Sequence, residues 1–302
     1  MNPAAEAATV VYVHGAGNKP PEDDLKRSWD QDLFGQEMGR RTRMVYYADL
    51  LYGRPGAIGP DACNATEALA ALVAEPATDP RTRRVVMAAE DAELFAGLTE
   101  SGQEFALSLS ISMATRGISQ PPPPAGAAAI LPLPSPLRRL LLRQLLQRLI
   151  PDANGYFFTD RKEPIRSRLR RVLESIDGPV VVVSHSLGTV IAYDVLSQLG
   201  AVGRPVPLFV TLGSPLGYSE IQDVVARPLR VPALVRLWAN FADPFDLVTL
   251  DTSLGDDFGA ASAIIDVRVD NPSPNNHAAC GYLKNAQVRS SVSAALPATG
   301  SG

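Results

Sequence analysis

The segment Val180-Val-Val-Val-Ser-His-Ser-Leu-Gly-Thr-Val-Ile-Ala-Tyr193 constrains this chain more than any other. Its valine run has no polar alternation, so both faces of the strand are predicted to be buried, as in the middle of a parallel sheet. A helical pattern begins directly after Ser184-His185-Ser186-Leu187-Gly188. A strand that becomes a helix over so few residues must turn sharply at Ser186. Small residues, Ser184 and Gly188, stand two places before and two places after it, where a bulky side chain would strike neighbouring backbone. The turn holds the Ser186 hydroxyl above the sheet. The N-terminal end of the following helix faces the same point, and its dipole favours a developing oxyanion.

Other runs rich in β-branched residues are Thr9–His14, Arg43–Ala48, Val206–Leu212, Leu234–Ala239 and Ala263–Val269, with Pro179–Ser184 completing the set. Helical patterns fall between them at Asp23–Met38, Pro164–Ser175, Leu187–Leu199 and Ile221–Val225. Strands and helices in alternation predict an α/β chain with a mostly parallel, doubly wound sheet. At 302 residues and 46% hydrophobic, the whole chain, 1–302, fits one large domain. The stretch 50–155 breaks the rhythm and reads as a mainly helical, partly Pro-rich insertion or lid. It holds helical patches at Thr66–Val73 and Arg83–Thr115 and a Gln120-Pro-Pro-Pro-Pro-Ala-Gly joint. A leucine-striped helix then follows at Pro136–Ile150. The tail after Val292 is small and polar and is expected to fray.

The Ser184–Gly188 segment resembles the nucleophile elbow of the α/β-hydrolase superfamily, in the form found in many lipases and esterases. It has Ser184 where that pattern usually has glycine. Val13-His14-Gly15-Ala16-Gly17 after the first strand is similar to the H-G-x loop of the same superfamily. The resemblance implies backbone N–H donors to an oxyanion at Ala16 and Leu187, each worth roughly 3–4 kcal/mol of barrier. It also puts His14 and Gly15 beside the substrate, with His14 orienting the loop. Thr211-Leu-Gly-Ser-Pro resembles a segment of many lipase-like members, which implies that Ser214 lines the pocket.

A serine nucleophile needs a histidine base later in the chain. Of His14, His185 and His277, the first comes too early, and the second lies inside the elbow, where its side chain is expected to turn away from the reacting face. His277 remains, in a turn-rich loop after the last strand run, and His277-x-x-x-x-Tyr282 is similar to the histidine loop of related hydrolases. The acid is expected just after the strand ending near Asn240, where Asp243, Asp246 and Asp251 lie. This segment resembles the acid loop of DDHD-domain phospholipases and GPI inositol-deacylases. Aligned on Asn240, Pro244 and Val248, the resemblance implies Asp246 as the acid, with Asp243 the alternative; Leu247 stands where that pattern has proline.

These residues predict a serine hydrolase acting on a carboxylic ester, with a lipid or hydrophobic acyl substrate favoured. A peptidase or amidase with the same triad, and a non-catalytic interaction module, are the alternatives. The chain has no metal-ligand spacing and no phosphate-cradling motif, so neither metal nor cofactor is expected. A net charge of −4 gives no reason to expect nucleic acid. The basic residues from Arg138 to Arg171 read either as a lid helix followed by a solvated helix or as a face for peripheral contact with anionic lipid. No signal sequence or spanning segment is seen, and Cys63 and Cys280 read as reduced thiols, so a cytoplasmic location is expected. Frequent alanine, arginine and proline point to a GC-rich bacterial source.

Overall fold

The computed structural model describes residues 8–56, 95–119, 149–200, 203–249, 251–259, 263–271 and 276–296. In chain order the strands are β1 (Thr9–Val13), β2 (Thr42–Val45), β3 (Val180–His185), β4 (Leu208–Leu212), β5 (Trp238–Ala242) and β6 (Ile264–Arg268). They form one all-parallel sheet in the order β2-β1-β3-β4-β5-β6. The helices that matter here are α1 (Glu22–Phe34), α2 (Ala48–Leu51), α3 (Glu100–Ser119), α4 (helical over 149–158) and α5 (Lys162–Glu174). After them come α6 (Leu187–Gln198), α7 (Ser219–Gln222), α8 (Ala279–Lys284) and α9 (Ala286–Ala295).

Valine alternation along the central strands explains the layering. Val11, Val13, Val180 and Val182 enter one core, together with Leu169 of α5 and Val190 and Ile191 of α6. Val10, Tyr12, Val181 and Val183 enter the other, with Trp29 of α1, Leu283 of α8 and Val288 of α9. All four residues of the valine run are fully buried. The sheet is therefore flanked by helices on both faces, as the sequence predicted.

Several boundaries differ from expectation. Helix α1 stops at Phe34 because Gly35 takes a left-handed conformation, φ 73°, and its N–H closes onto Gln31 O. Strand β5 begins at Trp238, whose indole N–H donates to Thr211 Oγ1; the preceding Val235 makes only an isolated bridge to Val206. Helix α9 runs to Ala295 because Val292 is anchored in the core, so the tail stays ordered past the point where fraying was expected. The Thr66–Val73 patch, the proline joint and most of the leucine-striped helix lie outside the described residues. Helix α3 buries Phe105, Leu109 and Met113, and α4 buries Ala153 and Tyr156, against the same core. Part of the basic stretch is tied up internally: Arg166 pairs with Asp194, Arg168 with Asp49 and Arg170 with Glu163.

Strand order reverses direction between β1 and β3: the chain leaves β1 for β2 on one side, then returns to β3 on the other. In open α/β sheets, ligands bind at the carboxyl ends of strands where such a reversal opens a crevice. Strand β1 ends at Val13 and β3 at His185, so the loop 14–17 and Ser186 stand at that point. Among the described residues no helix is long and apolar enough to cross a membrane.

Candidate active site

Ser186 is the N-cap of α6, with φ 53° and ψ −130°. Among the described residues it is the only non-glycine with positive φ. Such a conformation costs about 1–3 kcal/mol and persists only where its surroundings over-determine it. Here its N–H donates to Leu212 O at 3.0 Å. Its carbonyl accepts from the Thr189 N–H at 2.9 Å and from Thr189 Oγ1 at 2.7 Å. The small flanking residues have concrete reasons. A Cβ on Gly188 would lie 2.3 Å from His14 O and 2.4 Å from Val13 O. Ser184 is buried, and its hydroxyl donates to Val210 O across the sheet at 2.8 Å.

The loop after β1 presses directly on the elbow. A Cβ on Gly15 would lie 2.7 Å from Ser186 Cβ, so only glycine fits there. His14 is fully buried beside the elbow. Its Nδ1–H donates to Gly15 O at 2.8 Å, its Nε2 accepts the Tyr47 N–H at 3.2 Å, and its ring stacks on Tyr47. Burial, with Lys19 as a second cause, lowers its pKa to about 3, so it is neutral. Because a trans peptide points its C=O and N–H in opposite directions, the His14 bond turns the Ala16 N–H away from His14. Ala16 is half-buried and Leu187 is buried as the first residue of α6. The Ser214 hydroxyl accepts from Leu216 N and meets Thr189 Oγ1 at 2.8 Å, capping a turn.

Asp246 and His277 come together from loops 31 residues apart. The His277 Nδ1–H donates to Asp246 Oδ2 at 2.8 Å, which leaves Nε2 as the basic nitrogen. Asp246 Oδ2 also accepts from the Tyr282 hydroxyl at 2.7 Å, and Oδ1 accepts the Val248 N–H at 2.8 Å. Asp243 serves elsewhere. Its carboxylate accepts from the N–H groups of Phe245 and Asn271 and from Asn276 Nδ2, holding down the loop that carries His277. Burial pushes its pKa up. Gly213, with φ 56°, passes under the pair; a Cβ there would lie 2.8 Å from Asp246 Oδ2 and 3.0 Å from His277 Nδ1.

His185 does not turn away from the cluster. Its Nε2–H donates to the His277 carbonyl at 2.9 Å, and the two rings lie 4.6 Å apart. Burial, and secondly His277, hold its pKa well below the usual histidine range. The residue before Ser186 thus anchors the backbone of His277. Tyr282 and His185 were not assigned roles from sequence; the His277-x-x-x-x-Tyr282 spacing was the one signal for the tyrosine. Asp152, in α4, accepts the Gly17 N–H at 2.7 Å, and nothing in the sequence marked it. Cys280, three residues past His277, is disulfide-bonded, contrary to the expectation of reduced thiols. The chain's other cysteine, Cys63, lies outside the described residues. Among the described residues no cluster of three or more histidine, cysteine or acidic side chains could hold a metal.

Compared with known proteins, the chain matches no family model and no curated protein sequence.

Proposed function

We propose that this chain is a serine hydrolase with an α/β-hydrolase fold that cleaves carboxylic esters, with hydrophobic acyl groups as the favoured substrates. The observation that carries the reading is the strained Ser186 turn at the sheet's reversal point, joined through its neighbour His185 to His277, which hydrogen-bonds the buried Asp246. Ser186 Oγ attacks the acyl carbonyl while His277 Nε2 takes its proton. Asp246 keeps His277 in the Nδ1–H tautomer and stabilises the imidazolium. The Ala16 and Leu187 N–H groups receive the oxyanion. His277 then protonates the leaving alcohol, and water, activated by the same imidazole, releases the acid from the acyl-enzyme.

The test is fluorophosphonate labelling of the purified protein beside Ser186→Ala, with a panel of short- and long-chain esters and one matched amide. Labelling and ester turnover that both vanish in the mutant support the reading, and rising kcat/KM with chain length supports the hydrophobic acyl preference. A folded wild type that neither labels nor turns over any ester overturns it in favour of an interaction module. Faster cleavage of the amide than of its matched ester moves the protein to the peptidases.

A further inference from the structure

The peptide group between Ala16 and Gly17 is held from both of its polar ends by side chains of opposite charge. Its carbonyl accepts a hydrogen bond from Lys19 Nζ, three residues on. Its N–H donates to Asp152 Oδ2 at 2.7 Å, from 135 residues away. Gly17 has φ 90°, so the peptide plane sits in a conformation that an unclamped chain would leave easily. Asp152 is only 2% exposed, and its other oxygen accepts the Tyr52 hydroxyl at 2.5 Å. Burying a carboxylate is costly, and an apolar side chain would pack α4 without that cost. Asp152 instead meets the loop after β1 with one oxygen and the residue just after α2 with the other.

We propose that Asp152 and Lys19 are the positioning residues of the oxyanion loop: by clamping the Ala16–Gly17 peptide group, they fix the plane that follows the Ala16 N–H and, together with the His14 bond, hold Ala16 in one conformation. The proposal rests on the serine-hydrolase reading above. The N–H of Ala16 belongs to the preceding peptide group, whose carbonyl is already held by His14. Two consecutive peptide planes are therefore locked, one by a neutral imidazole and the next by a charged pair. An oxyanion hole of this kind acts only if its donors are in place before charge develops. The clamp also joins the two flanks of the insertion, Tyr52 and Asp152, at the loop itself.

The test compares Asp152→Ala, Asp152→Asn and Lys19→Met with the wild type in the full chain. It reads kcat and KM on one hydrolysed ester, circular dichroism and Tm. Asp152→Ala is expected to lower kcat about 100-fold, the usual scale for a misplaced or missing donor, with KM changed less than threefold. Asp152→Asn keeps an acceptor for the Gly17 N–H and is expected to recover kcat to within about tenfold of wild type. Lys19→Met is expected to lower kcat about tenfold, and it decides the matter if Asp152→Ala does not fold. Unchanged kcat in a folded Asp152→Ala, or in Lys19→Met where the alanine variant is unfolded, overturns the clamp. A loss of Tm without a loss of kcat overturns it as well. A wild type without labelling or turnover overturns the hydrolase reading, and the clamp with it; an active wild type beside an unaffected variant overturns the clamp alone.

Discussion

The phenol oxygen of Tyr282 donates to Asp246 Oδ2 and accepts the Asp243 N–H at 3.0 Å. One atom thus joins α8 to both ends of the acid loop. Tyr282→Phe leaves a buried N–H without an acceptor, which costs about 1–3 kcal/mol, and removes one of the two donors on Asp246 Oδ2. The expected result is that loss of stability in urea unfolding together with a fall in kcat of about tenfold; a variant as stable and active as wild type would show the phenol to be dispensable. His14 and His185 make a second prediction. Both are buried neutral, with pKa values below the unfolded value, so the unfolded chain binds protons that the native one does not. Stability is therefore lost as pH falls below about 6.5, by up to about 1.4 kcal/mol per pH unit for each histidine. Asp152 and Asp243, held above the usual carboxylate range by burial, work in the opposite sense at lower pH. Urea unfolding at pH 7.5 and 5.5 checks this, and a flat profile would mean that these histidines are not held neutral. The sharp turn at Ser186 was legible from local motif, and the pairing of His277 with Asp246, rather than Asp243, was expected from chain order and the resembling acid loop. Tyr282, His185 and Asp152 act across 36, 92 and 135 residues, and separations of that size leave no local pattern.

At the scale of elements, the approach of α6 to the end of β1 sets the tightest constraint. Gly188 meets the backbone carbonyls of Val13 and His14, which cannot swing aside as a side chain could. Gly188→Ala is expected to destabilise the fold by about 1–3 kcal/mol. It is also expected to shift the loop that carries Ala16, with activity falling further than stability alone explains. Measured together, Tm and kcat separate the two effects; an alanine variant with wild-type values of both would contradict this packing. The central strands were legible because both faces of the sheet are buried there, so β3 opens on a continuous valine run and β4 and β5 are buried throughout, whereas the edge strands β2 and β6 carry exposed Arg43 and Asp266. Strand β5 was misplaced towards its N-terminal side because Leu234 and Val235 are as apolar as a strand. Only pairing with β4 and β6, invisible in one segment, decides where the ladder starts.

Across the whole molecule, the α/β plan with a parallel sheet was legible from strand–helix alternation. The way α4 reaches back to the loop after β1 was not, because a helix stripe says which face is apolar and not what it meets. The disulfide at Cys280 has a consequence at this scale: it restrains the helix that follows His277. Cys280→Ser is expected to lower the unfolding free energy by about 2–4 kcal/mol, with reductant producing the same drop in the wild type and none in the variant. Reductant without effect on the wild type would contradict a structural role for the bond.

The parallel order of the sheet has a further consequence during synthesis. Loop 14–17 emerges first, Ser186 far later, and His277 only after β6 has been made. On the proposed reading a ribosome-bound chain carries Ser186 without its base for the whole of that interval, although Asp246 is made before β6. On the proposed serine-hydrolase reading, the nascent chain cannot act on an ester until His277 has been translated.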